Sequence, residues 1–122
     1  MKRLLVLALA ATALFANAQT FPGSRPISIV VPFAAGGPTD RVARDLAEAM
    51  RKSMGGTANF VVENVNGAGG TIGAAKVSKA TPDGHTLLLH HIGMAAASGL
   101  YRKLPYKPLE DFEYLGMINE DP

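Results

Sequence analysis

The 122-residue sequence contains no cysteine and no tryptophan. Without cysteine there is no disulfide scaffold, no thiolate metal site and no cysteine nucleophile. A charge bias is missing too: twelve Lys/Arg against ten Asp/Glu leave +2, too little for a surface that neutralises a nucleic-acid backbone. The only long apolar run, Leu4 to Phe15, is shorter than the roughly 20 residues a bilayer span needs. No Gly-Lys-Ser/Thr phosphate loop, no Gly-x-Ser-x-Gly elbow and no His-x-x-x-His spacing occurs, which argues against nucleotide, esterase and zinc chemistry. Neither an internal repeat nor a low-complexity tail is evident. What is present is the length of one domain, about 100–150 residues. It is 48% hydrophobic, with 13 Gly and three His. Its chemistry has to come from backbone, glycine loops, a few carboxylates and those histidines.

The N-terminus reads as an export signal. Met1-Lys2-Arg3 is a basic head, Leu4 to Phe15 an apolar middle broken only by Thr12, and Ala16-Asn17-Ala18 a small-x-small exit. Cleavage is expected after Ala18, making residues 1–18 a signal peptide and the mature protein periplasmic, with no membrane insertion after cleavage. A retained anchor or a buried first helix is the competing reading. Lys2 and Arg3 account for the whole basic surplus, so the mature chain is formally neutral.

Beyond the signal, strand and helix patterns alternate. Ile27-Ser28-Ile29-Val30-Val31, bounded by Pro26 and Pro32, predicts a strand buried on both faces. Pro38 to Met54 has helical spacing, with Val42, Ala43, Leu46, Ala49 and Met50 as its apolar stripe. Surface pairs are expected at Arg41/Asp45, Arg44/Glu48 and Glu48/Lys52. Pro38 suits the first turn and Gly55-Gly56 the stop. Asn59–Val62 predicts a second strand, Thr71–Ala80 a small helix, and Thr86–Leu89 a third strand after the Pro82-Asp83-Gly84 turn. Met94–Leu104 suggests a short helix interrupted by Gly99, and Phe112–Ile118 a fourth strand. The fold class is α/β: a parallel βαβαβ sheet with helices on its faces.

In an open parallel sheet, ligands bind beyond the carboxyl ends of the strands. Three segments leave such ends: Pro32–Thr39, Glu63–Thr71 and His90–Met94. The first two are glycine-rich and each runs into a helix. Glycines admit a ligand close to backbone N–H groups, and a helix start adds partial positive charge, so an anion can be held without lysine or arginine. Two such cradles describe a carboxylate pocket; the alternative is that the glycines serve only tight turns and close packing. Gly67-Ala68-Gly69-Gly70-Thr71-Ile72-Gly73 departs from the dinucleotide fingerprint, whose third glycine comes one residue earlier. His90 and His91 are adjacent, so in an extended segment they point to opposite faces and share no metal; one of them is a candidate ligand donor. Asp40 is placed to meet the helix dipole or the ligand's polar groups.

The order of these motifs resembles one family. Arg25-Pro26-Ile27 leads into Ile29-Val30-Val31-Pro32-Phe33-Ala34-Ala35-Gly36-Gly37-Pro38-Thr39-Asp40. Then come Val42-Ala43-Arg44, Val61-Val62-Glu63-Asn64, the glycine run from Gly67 to Gly73, Pro82-Asp83-Gly84-His85-Thr86-Leu87, Leu100 to Tyr106, and Asp111-Phe112. This pattern is similar to the extracytoplasmic solute-binding proteins of tripartite tricarboxylate transporters, the Bug-type receptors. His85 and Ala34-Ala35 depart from the family's usual residues without altering the backbone.

The resemblance implies the opening of lobe 1 of a type II periplasmic binding protein, without cofactor, that presents a small carboxylate to membrane permease subunits. Mapped onto this sequence, it points to Phe33, Gly36, Gly37 and Asp40 in the first loop, Ala68, Gly69, Gly70 and Thr71 in the second, and His91 in the third. Such receptors span roughly 300 residues in two lobes, so residues 19–122 are expected to be a partial first lobe with the second absent. Rival readings are a non-functional remnant, a small interaction module, or a periplasmic enzyme using His90/His91.

Overall fold

The computed structural model describes residues 21–120; the signal segment lies outside them. The β-branched run Ile27–Val31 forms strand β1, the centre of a three-stranded sheet of order β2-β1-β3. Strand β2 (Phe60–Asn64) pairs with it in parallel from Ile27↔Phe60 to Val31↔Asn64. Strand β3 (Thr86–Leu88) pairs on the other side from Ser28↔Thr86 to Val30↔Leu88, also parallel. A central parallel strand is covered on both faces, which is why its side chains are apolar without alternation; Ile29, Val30 and Val31 are all buried.

Helix α1 (Pro38–Ser53) covers one face. Ala43 and Ala47 pack there on Ile29 and Val31, with Phe33, Phe60, Val62, Leu87 and Leu89 around them. Helix α2 (Thr71–Ser78) and helix α3 (Gly93–Leu100) accompany the second core, in which Ala74, Met94 and Tyr106 meet Leu88, Leu104 and Phe112. Small residues at the contacts let the helices sit close to the sheet.

Several sequence expectations are revised. Strand β2 starts one residue late and runs on through Glu63 and Asn64, because backbone pairing to Val30 and Val31 continues regardless of side-chain polarity. Helix α1 ends at Ser53, helix α2 at Ser78, strand β3 at Leu88 and helix α3 at Leu100; Gly99 lies inside helix α3. No strand forms over Phe112–Ile118. Ile118 and Asn119 instead border a shallow groove along Val42, Leu46 and Ala49 of helix α1, so that side of the apolar stripe faces the C-terminal segment. The ion pairs differ as well: Arg44 turns back to Asp40, and Glu48 takes Arg51 together with Lys52.

Candidate functional site

Because all three strands run the same way, the segments leaving Val31, Asn64 and Leu88 emerge at one end of the sheet. They are stitched together there. The Val65 amide donates to the Val31 carbonyl at 2.9 Å and the Leu89 amide to that of Val30 at 3.0 Å. From the end of strand β2, Asn64 Nδ2 reaches the Phe33 carbonyl at 3.1 Å and Asp40 Oδ1 at 3.0 Å. The predicted residues of the first loop (Phe33, Gly36, Gly37, Asp40), of the second (Ala68, Gly69, Gly70, Thr71) and of the third (His91) thus share one rim.

Asp40, in the first turn of helix α1, is only 2% exposed. Its Oδ2 accepts from the Gly36 amide at 2.8 Å and from Arg44 Nε at 3.0 Å, and its Oδ1 from Arg44 Nη2 at 3.0 Å. Those bonds stabilise the ionised form. The Arg44 guanidinium foremost, then the Gly36 amide and Asn64, hold the Asp40 carboxyl down at about 2. Asp40 is therefore an internal anion that fastens the first loop to its helix and to strand β2.

The second loop passes through a 3-10 turn at Ala68–Gly70 before entering helix α2. Gly70 has φ +94°, and a Cβ there would lie 2.9 Å from His90 Nε2 and 3.2 Å from Phe33 Cζ. Only glycine combines that backbone with that proximity. Ala68 adopts φ +45° despite its side chain, a conformation that surrounding contacts must hold. Its carbonyl accepts from Thr71 Oγ1 at 3.0 Å, from Tyr101 Oη at 3.0 Å and from the Thr71 amide.

Not every amide expected to face a ligand is available. The Gly36 amide is taken by Asp40, the Gly70 amide by the Gly67 carbonyl at 2.9 Å, and the Gly37 amide by the Ala34 carbonyl at 3.3 Å. Among the described residues, the amides of Ala35, Thr39, Ala68 and Gly69 have no acceptor. Ala68 and Gly69 from one loop and Ala35 and Thr39 from the other are thus among the donors left free, together with Ala34, Asp40 and Gly67.

The histidines lie otherwise than an extended strand end implies. Strand β3 stops at Leu88, and beyond it both rings gather on Phe33. His91 stacks at 4.3 Å and 15°, and His90 meets it edge-on at 5.3 Å, with 5.2 Å between the imidazoles. The His91 amide donates to His90 Nδ1, and the Gly93 amide to His91 Nδ1, each at 2.9 Å. An amide can only donate, so His91 Nδ1 accepts; His90 Nδ1 faces both the His91 amide and, at 3.0 Å, the His91 carbonyl oxygen. Burial pushes the His90 pKa down, keeping that ring neutral at pH 7. Among the described residues, no group of three or more His, Asp or Glu could hold a metal ion, and no helix is long and apolar enough to cross a membrane.

Sequence reasoning overlooked Asn64, Arg44 and Tyr101 as site residues. Arg44 had a readable signal, four residues after Asp40 on one helix face. Tyr101 had none, since its approach depends on where helix α3 ends.

Comparison with known proteins identifies the family and the fold. The model of the tripartite tricarboxylate transporter family receptor matches residues 42–122. A curated protein of Agrobacterium vitis, from the TAR-I ttuE-ttuC' intergenic region, is 51% identical over 122 residues, covering 98% of this chain and 35% of its own. The solved periplasmic binding protein BugD is 55% identical with a TM-score of 0.68, over 73% of this chain and 29% of that one. MatC from Rhodopseudomonas palustris, solved with bound malate, is 48% identical with a TM-score of 0.69, over 75% and 31% of the two chains. The chain spans about a third of the length of the curated relatives it matches. With a parallel α/β fold shared with periplasmic binding proteins and a family match over most of its length, the chain belongs to the tripartite tricarboxylate transporter receptor family.

Proposed function

We propose that this chain contributes the first-lobe half of a periplasmic receptor that captures a small dicarboxylate and hands it to the permease subunits of a tripartite transporter. The observation that carries the reading is a set of free donors, the amides of Ala68 and Gly69 in one loop and of Ala35 and Thr39 in another, on loops that leave the same end of the sheet. A carboxylate set between them gains charge-assisted hydrogen bonds from backbone alone. Phe33, Gly36, Gly37 and Asp40 shape the first loop, Gly70 and Thr71 close the second, and His91 walls the third side. The malate in MatC supports the choice of ligand class. Residues 1–18 serve as the export signal, and 19–122 as part of lobe 1.

A receptor role accounts for His90 and His91 better than catalysis. Each Nδ1 is engaged by neighbouring backbone, and the rings pack on Phe33 rather than on a nucleophile.

Amide NMR of the protein titrated with malate tests the proposal. The expected result is that Ala35, Thr39, Ala68 and Gly69 shift together and saturate, with binding near millimolar where one set of amides acts alone. Shifts scattered over the surface, or equal shifts with a cationic ligand such as putrescine, would sink it.

A further inference from the structure

The second loop is gripped from outside by a side chain that no motif singled out. Helix α3 ends by bonding the Tyr101 amide to the Ala97 carbonyl at 3.0 Å, and Tyr101 then turns extended, with φ −113° and ψ 124°. That turn lays the ring over the second loop. Its hydroxyl donates to the Ala68 carbonyl at 3.0 Å, across a sequence separation of 33 residues. The same hydroxyl stands where a Cβ on Gly69 would have to be. On the opposite side, His90 Nε2 and Phe33 close over Gly70. Two consecutive glycines are thus each covered by a side chain from elsewhere in the fold.

This placement has a use. The Ala68 carbonyl belongs to the residue with the unusual positive φ, and it anchors the turn that presents the free amides of Ala68 and Gly69. Thr71 bonds it locally, but a local bond moves with the loop. Tyr101 is the tie from a separate helix, itself seated through buried Met94 and Ala97. A donor fixed before the ligand arrives spares the ordering cost at binding.

We propose that Tyr101 is a positioning residue for carboxylate capture, holding the second loop in its donating conformation through the Ala68 carbonyl. The inference rests on the carboxylate-receptor reading above, and its test has an arm that does not.

The experiment compares Tyr101→Phe with Tyr114→Phe in the full chain. Tyr114 supplies a matched control, since its hydroxyl also bonds a backbone carbonyl, that of Pro108, at 2.9 Å, which belongs to none of the three loops. Without ligand, hydrogen exchange is read at the Gly70 and Thr71 amides, whose bonds to Gly67 and Ala68 close the turn. Exchange there is expected to rise about 3–10-fold in Tyr101→Phe, the worth of one neutral hydrogen bond, and to stay at the wild-type rate in Tyr114→Phe. With malate as the probe, Kd is expected to rise by a similar ~3–10-fold in Tyr101→Phe alone. Unchanged exchange in Tyr101→Phe overturns the proposal, as does faster exchange with an unchanged Kd. Should the wild type bind no dicarboxylate, the receptor reading fails by itself, and the exchange arm still decides whether Tyr101 holds the loop.

Discussion

Replacing Gly73 by alanine tests whether the two glycine loops form one rigid rim. Gly73 lies in helix α2, so a methyl group there meets no backbone strain of its own. It would meet Pro32 Cβ and the Val65 carbonyl oxygen, each at 2.7 Å, and Pro32 Cα at 3.0 Å. Carbon contacts settle near 3.5–4.0 Å, so the helix or both loop starts must retreat by roughly 1 Å. Overpacking of that kind costs about 1–3 kcal/mol, while alanine regains about 0.8–1 kcal/mol of helix propensity. With backbone on both sides and little room to yield, the net loss is about 1–2 kcal/mol. Gly99 supplies the contrast: it is also helical, with nothing within 4 Å of its would-be methyl. There alanine is expected to stabilise by about 0.5 kcal/mol, reduced from the full propensity because the site is near the helix end. Urea denaturation separates the two. At a slope of about 1–3 kcal/mol/M, Gly73→Ala should lower the midpoint by about 0.3–2 M and Gly99→Ala should raise it slightly. Equal stability of the two variants would refute the close seating of helix α2 on Pro32 and Val65.

Four further outcomes follow from the site and the helix that carries it. Because the folded Asp40 carboxyl is held at about 2, below its ordinary 3.8, its stabilisation is complete above pH 4 and is lost as pH falls toward 2; Asp40→Asn should therefore flatten the acid limb of a Tm-versus-pH curve. Glu48→Gln should flatten it less, since Glu48 is also held at about 2 but by Arg51 and Lys52 at the surface, where solvent screens the pairs. Gly70→Ala faces both a positive φ and the His90 and Phe33 rings, so malate affinity should fall by more than about tenfold, as for a loss of 1–2 kcal/mol or more, measured by calorimetry. His91→Ala removes a ring stacked on Phe33 but no free donor amide, and its effect on malate Kd should stay below about threefold, the scale of one exposed aromatic contact.

The framework of the fold was legible because its signals were local. A β-branched run between prolines, a helix opened by Pro38, and two glycine-rich loops each announce themselves within ten residues or so. What escaped was set by partners. Glu63 and Asn64 look like loop residues, yet they extend strand β2 because Val30 and Val31 lie alongside. Phe112–Ile118 looks like a strand, yet no sheet edge receives it in this structure and Ile118 comes to lie by helix α1 instead. At the site, the argument from glycine and helix start picked out loops that do emerge together at one end of the sheet, but not which amides remain free. That depends on Asp40, Gly67 and Ala34 accepting first, a competition no spacing rule reports. The histidine pair was misjudged for a similar reason: alternation holds only while the strand lasts, and it stops two residues before His90.

Two couples of opposite charge stand near the rim, Asp40 with Arg44 and Glu63 with Lys76. A mouth balanced in this way projects little field beyond about one Debye length. On the proposed reading as a carboxylate receptor, attraction of the ligand would begin only at contact, and malate Kd should be nearly indifferent to ionic strength from dilute water to brine.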